Sequence, residues 1–149
     1  MDELRIRPKG PYIFEADWKE LYVLTEHWAS DLAFYGDDLR FLHHLLSSYY
    51  MWLFMQERAD HGAKVAKRLE ELETRRDALA KLTQKHLTHL ADLIDDPFKY
   101  DSHEFRKEHA VLEEEITHFV KDFRTCKNDA FALSKRLVSS EEFLKQIIS

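Results

Sequence analysis

The chain has 149 residues, 44% hydrophobic and 34% charged, with only 3 Gly and 3 Pro. So few breakers argue against turn-rich β-sandwich and α/β folds, and the length suits one domain, 1–149, with a real core. A net charge of −6 without any basic run argues against a nucleic-acid-binding face.

Residues 1–16 form an irregular N-terminal arm, because Pro8-Lys9-Gly10-Pro11 cannot be helix interior. A first helix is expected over about 17–47. Asp17 and Glu20 open it with capping-box spacing. Its inward series is Leu21, Thr25, Trp28, Leu32, Tyr35, Leu39, Leu42 and Leu46. Leu24, Phe34, Phe41 and Leu45 flank that series, so the apolar face is wide enough for two neighbouring helices. Gly36 inside the helix costs roughly 1 kcal/mol and allows a bend. The turn to the second helix falls somewhere in 47–58, since Ser47-Ser48 is the only stop signal before Gly62.

The second helix covers about 57–95, with a seam of Val65, Leu69, Leu72, Arg76, Leu79, Thr83, His86, Leu90 and Leu93. Asp95-Asp96-Pro97-Phe98 then breaks the chain. A third helix over about 101–137 opens with Asp101 and Glu104 in a second capping box. It carries the clearest signal in the chain. Phe105, Leu112, Ile116, Phe119, Phe123, Cys126, Ala130, Leu133 and Leu137 recur in steps of three, four and seven, with His109 as the one polar member. That 3.5-residue repeat is of coiled-coil type. Ser139-Ser140-Glu141-Glu142 starts a short C-terminal helix over 140–148. The expected fold is all-α, an antiparallel up-down bundle of three long helices plus this short C-terminal helix. The short helix, or a second subunit, supplies a fourth wall, which makes the arrangement four-helix-bundle-like.

The pattern Trp28-x-x-Asp31-Leu32-x-Phe34-Tyr35-x-x-Asp38-Leu39-x-Phe41-Leu42 is followed later by Asp96-Pro97-Phe98. Phe105-Arg106-x-Glu108-His109-x-x-Leu112-Glu113-x-Glu115-Ile116 comes next. Together these stretches resemble a group of small uncharacterised helical proteins of flavobacteria and related Bacteroidetes, over most of the chain. The resemblance implies a cytoplasmic helical protein and supplies no mechanism.

Nine histidines in a helical bundle raise the question of metal, which requires ligands on inward faces of facing helices. Closing the loop at 95–101 places His86 and His109 in one layer, with Trp18 and Tyr22 of the first helix nearby. That layer reads first as polar residues that fix register. The alternative is a two-histidine metal site or a proton-titrating pair. Glu115 and His118 form a single Glu-x-x-His pair, which Glu26 and His27 could face. Di-iron bundles use that pair twice. A transition metal at His86 and His109, or at Glu26, His27, Glu115 and His118, is therefore the alternative reading, and no other cofactor is expected.

No Gly-rich phosphate loop, Gly-x-Ser-x-Gly elbow or Cys-x-x-Cys occurs. Cys126 lies on the apolar seam, as a small hydrophobe does. A single cysteine fits a reducing compartment. The N-terminus carries no apolar leader, and 41–55, the longest run free of charged residues, is too short to span a bilayer. A cytoplasmic, non-membrane protein is expected. Tyr49, Tyr50, Met51, Trp52, Phe54 and Met55 are the candidate interaction residues, because aromatics and Met are enriched at interfaces. The leading expectation is a non-enzymatic bundle that works through protein contacts, as a homo-oligomer.

Overall fold

The structure, a computed structural model, describes residues 16–48 and 59–148, with side chains described over 16–47 and 62–135. Three helices account for nearly all of these residues: α1 (Trp18–Ser48), α2 (Ala59–Asp95) and α3 (Ser102–Ile148), of 31, 37 and 47 residues. No strand occurs among the described residues. The arm at 1–15, most of the turn expected in 47–58, and the aromatic segment 49–55 lie outside the described residues.

The expected short C-terminal helix is not a separate element. α3 runs unbroken through Ser139 and Ser140 to Ile148, so the fold is a bundle of three long helices and not four-helix-bundle-like. Ser-Ser-Glu-Glu caps a helix only where the preceding backbone has already left helical geometry. No Gly or Pro stands there to release it, and Ser inside a helix costs only about 0.5 kcal/mol relative to Ala. The alternation of four and three also continues from Leu137 through Ser140 to Leu144 and Ile147.

Two compact units divide the chain. The first is Met1–Gly36 with Arg75–Val120, and the second is Asp37–Thr74 with Lys121–Ser149.

In the first unit, both expected caps are made. Asp17 Oδ1 accepts from the Glu20 amide at 2.7 Å, and Asp101 Oδ1 accepts from the Glu104 amide at 2.8 Å. In the loop, the Asp96 carboxylate accepts from the Phe98 amide at 3.1 Å, an Asx turn. Tyr100 donates to Asp92 at 3.2 Å, tying the loop back to α2. Trp18 meets Phe105 and Tyr35 meets Phe119 edge-on, so α1 and α3 run parallel here. His86 pairs with His109, and Arg75 lies over Phe119, so α2 runs antiparallel to α3. The core joins Leu21, Trp28 and Leu32 of α1 to Leu90 and Leu93 of α2 and to Phe105, Ile116 and Phe119 of α3. Burial of each large apolar side chain contributes about 1.5–3 kcal/mol.

The seam threonines satisfy themselves locally. Thr25 donates to the Leu21 carbonyl and Thr83 to the Leu79 carbonyl, both at 2.7 Å. Neither threonine needs a partner from another helix, so an apolar core accepts them. Arg76 departs from its seam position and is only half-buried. Its side chain packs where Gly36 lacks a Cβ; an added Cβ would lie 3.1 Å from Arg76 Cζ and Nε. α1 passes through Gly36 as continuous helix. The glycine thus makes room for a guanidinium group.

The second unit buries Leu39, Leu42 and Leu46 of α1, Val65, Leu69 and Leu72 of α2, and Phe123, Cys126, Ala130 and Leu133 of α3. Contacts between charged groups link its helices: Arg68 to Asp129 at 2.6 Å, Lys127 to Asp38 at 2.8 Å, and the His43 ring to Glu73 at 3.4 Å. Burial pushes the Cys126 thiol up, against the nearby Arg68, so it stays protonated. That inert thiol matches its reading as a small core hydrophobe.

Candidate functional site

The most unusual chemistry in the first unit is one direct contact between two buried imidazoles. His86 Nε2 and His109 Nδ1 are 2.7 Å apart. His86 is 6% exposed and His109 is fully enclosed. The short loop after α2 and the cap at Asp101 set the fold-back, and the heptad phases of α2 and α3 turn both rings inward. One ring must donate and the other accept, so the pair holds one shared proton and complementary tautomers.

Stacked aromatic rings enclose the pair. Phe105 lies on His86 with centroids 4.6 Å apart at 9°, and Trp28 lies on His109 at 4.8 Å and 29°. The α1 ring that reaches His109 is thus Trp28. Trp18, expected near this layer, contacts Phe105, and Tyr22 packs against the cluster of Leu21, Leu90 and Leu93. Helical side chains lean toward the N-terminus of their helix, so a large indole covers the turn before its own Cα. Trp28 is fully buried, and its Nε1 has no hydrogen-bond partner among the described residues.

Burial, reinforced by the nearby His89, lowers the His86 pKa to about 4. The ring is therefore neutral at physiological pH. Toward solvent, His86 lines an open groove of about 530 Å³ between α2 and α3, together with Lys85, His89, Glu104, Lys107 and Glu108. Glu115 lines it as well, so the groove carries charges of both signs.

The other candidate ligands do not converge. Glu26, His27, Glu115 and His118 are all exposed. Glu115 and His118 share a hollow of about 270 Å³ with Arg75 and Leu82 of α2. No group of three or more His, Cys, Asp or Glu placed to hold a metal ion exists among the described residues. At 2.7 Å the paired nitrogens also stand closer than the roughly 3.3 Å that two ligands of one tetrahedral zinc require at ordinary Zn–N distances. The arrangement fits a shared proton better than a shared metal. The interaction residues Tyr49, Tyr50, Met51, Trp52, Phe54 and Met55 lie outside the described residues.

One feature runs against the sequence pattern. Phe34 and Phe41 were expected to widen the packing face of α1, yet they are 56% and 54% exposed. In the first unit, Val23 is also half exposed. Eleven residues separate it from Phe34, which places both within about 20° on the helix, roughly opposite the buried series. Phe41 lies seven residues beyond Phe34, in the second unit.

No family model, curated protein or solved structure matches this chain significantly. Among the described residues, no helix is long and apolar enough to cross a membrane.

Proposed function

We propose that the chain works through protein contacts, by self-association, and not by catalysis. The observation that carries this reading is the outward placement of Val23 and Phe34 on α1. Isolated exposed apolar residues are ordinary, but residues aligned on one side of a helix form a docking stripe. A second copy is the partner favoured by charge. Lys19, Glu20 and Glu26 are exposed on the same part of α1, so two such segments packed about a two-fold axis can meet with opposite charges. Further along the same chain stand Tyr49, Tyr50, Met51, Trp52, Phe54 and Met55, whose composition suits an interface.

Sedimentation velocity on the full chain across a wide concentration range tests the reading. Wild type should show a concentration-dependent mass. Phe34→Ser should weaken association by roughly tenfold, as expected for about 1.4 kcal/mol of lost apolar contact. A strict monomer at high concentration overturns it.

A further inference from the structure

We propose that the His86–His109 contact is a proton-operated catch between α2 and α3: closed while both rings are neutral, and released in acid. The geometry makes it a two-state device. A single hydrogen lies between nitrogens 2.7 Å apart, and a proton added to the accepting nitrogen sets two N–H groups against each other. A proton added elsewhere on either ring places a cation between Trp28 and Phe105, in an enclosure with little to solvate it.

At His86, the ring that solvent reaches, desolvation outweighs the charged groups nearby. On α2, Lys85 and His89 add positive charge or none. On α3, Glu104, Lys107, Glu108 and Glu115 line the groove, all four exposed, and Glu104 pairs with Lys107 at 3.5 Å. α1 contributes Trp28 by direct contact. Its titratable residues adjoining this level in sequence are Tyr22, Glu26, His27 and Asp31; Glu26 and His27 are exposed, while Tyr22 and Asp31 are half-buried and one Asp31 carboxylate oxygen is enclosed. No carboxylate pairs with His86 among the described residues, whereas His43 has one in Glu73.

Solvent reaches the catch without global unfolding, because His86 forms part of the groove wall while His109 lies behind it. His86 therefore takes the first proton. Its folded pKa of about 4 lies below the ordinary 6.5, so the open form binds more protons between those values. Closure is complete above about 6.5 and is lost as the pH falls toward 4. Opening at this layer uncovers Phe105 and Trp28, so acid is converted into exposed apolar surface.

Hydrogen exchange, read with imidazole nitrogen NMR on the full chain, tests the proposal. At pH 7 both rings should be neutral with complementary tautomers. Between pH 6.5 and 4.5, opening across 83–90 and 105–112, corrected for intrinsic exchange rates, should rise by roughly tenfold to a hundredfold and track protonation of His86. In His86→Leu/His109→Leu the rise should vanish. A charged ring at pH 7, or an equal acid response in the double variant, overturns the catch. If that variant does not fold, wild type alone decides: opening that fails to follow His86 protonation overturns it equally.

Discussion

The Arg106 guanidinium lies 4.2 Å from the centroid of the Trp18 ring, and its Nη1 donates to the Ala16 carbonyl at 2.8 Å. One α3 side chain thus fastens both Ala16, two residues ahead of α1, and Trp18, the first residue of α1. Burial lowers the Arg106 pKa, but from a value so high that the charge persists. A part-exposed cation–π contact and one charge-assisted hydrogen bond together are worth about 1–2 kcal/mol. Arg106→Ala should lower stability by that amount in urea denaturation, with the slope unchanged. Arg106→Lys should recover less than half, since an ammonium lacks the planar face that lies on the indole and the fork that reaches the carbonyl. Full rescue by lysine would reduce the contact to charge alone.

The imidazole pair makes a second, non-additive prediction. His109→Leu leaves His86 Nε2 facing an apolar side chain, and a buried polar group that loses its partner costs about 1–3 kcal/mol. Replacing both rings removes both polar groups at once and should cost less than the two single changes combined. The coupling read from the double-mutant cycle at pH 8 should be about 1–2 kcal/mol. Strict additivity would mean that the rings do not depend on one another, despite their 2.7 Å separation.

The inward positions were legible in the sequence because burial on a long helix follows a local period, whatever the partner. The α1 series from Leu21 to Leu46 is buried throughout. The His86–His109 layer was legible for a different reason: a six-residue connection, 96–101, leaves little freedom in how α3 folds back on α2. The offset of α1 against α3 has no such local origin, so the ring that meets His109 could not be assigned from spacing. Nor does the apolar pattern state how many neighbours a helix has. The spacing of Phe34 sets it roughly opposite the buried series, so its outward position follows from the helical period, and only its apolar character suggested a packing face.

Gly36 offers a case where two effects oppose each other. Alanine in a helix interior is favoured over glycine by about 1 kcal/mol. Its Cβ would stand 3.1 Å from Arg76 Cζ and Nε, which is too close without adjustment. Those atoms belong to a long side chain with solvent on one side, paired with the exposed Asp77, so it can shift by a few tenths of an ångström. Gly36→Ala should therefore stabilise by about 0.5 kcal/mol in wild type and by about 1 kcal/mol in an Arg76→Ala background. Thermal unfolding of the four proteins measures both values. A loss of stability in wild type would show that Arg76 is held rigidly in place.

The unbroken α3 separates two roles for Ser139 that the sequence alone leaves mixed. At an N-cap, the serine hydroxyl would satisfy a free amide of the first turn, and Ser139→Ala would cost about 1 kcal/mol. In helix interior there is no free amide for it to satisfy, and alanine is the better residue by about 0.5 kcal/mol. Because α3 continues through this position to Ile148, Ser139→Ala and Ser140→Ala should each raise stability slightly and leave the helical circular-dichroism signal unchanged or stronger. Ser139→Pro should remove helix from the chain beyond that point, because proline lacks the amide and clashes with the preceding turn. Destabilisation by Ser139→Ala, with Ser139→Pro tolerated, would mean that a new helix starts there.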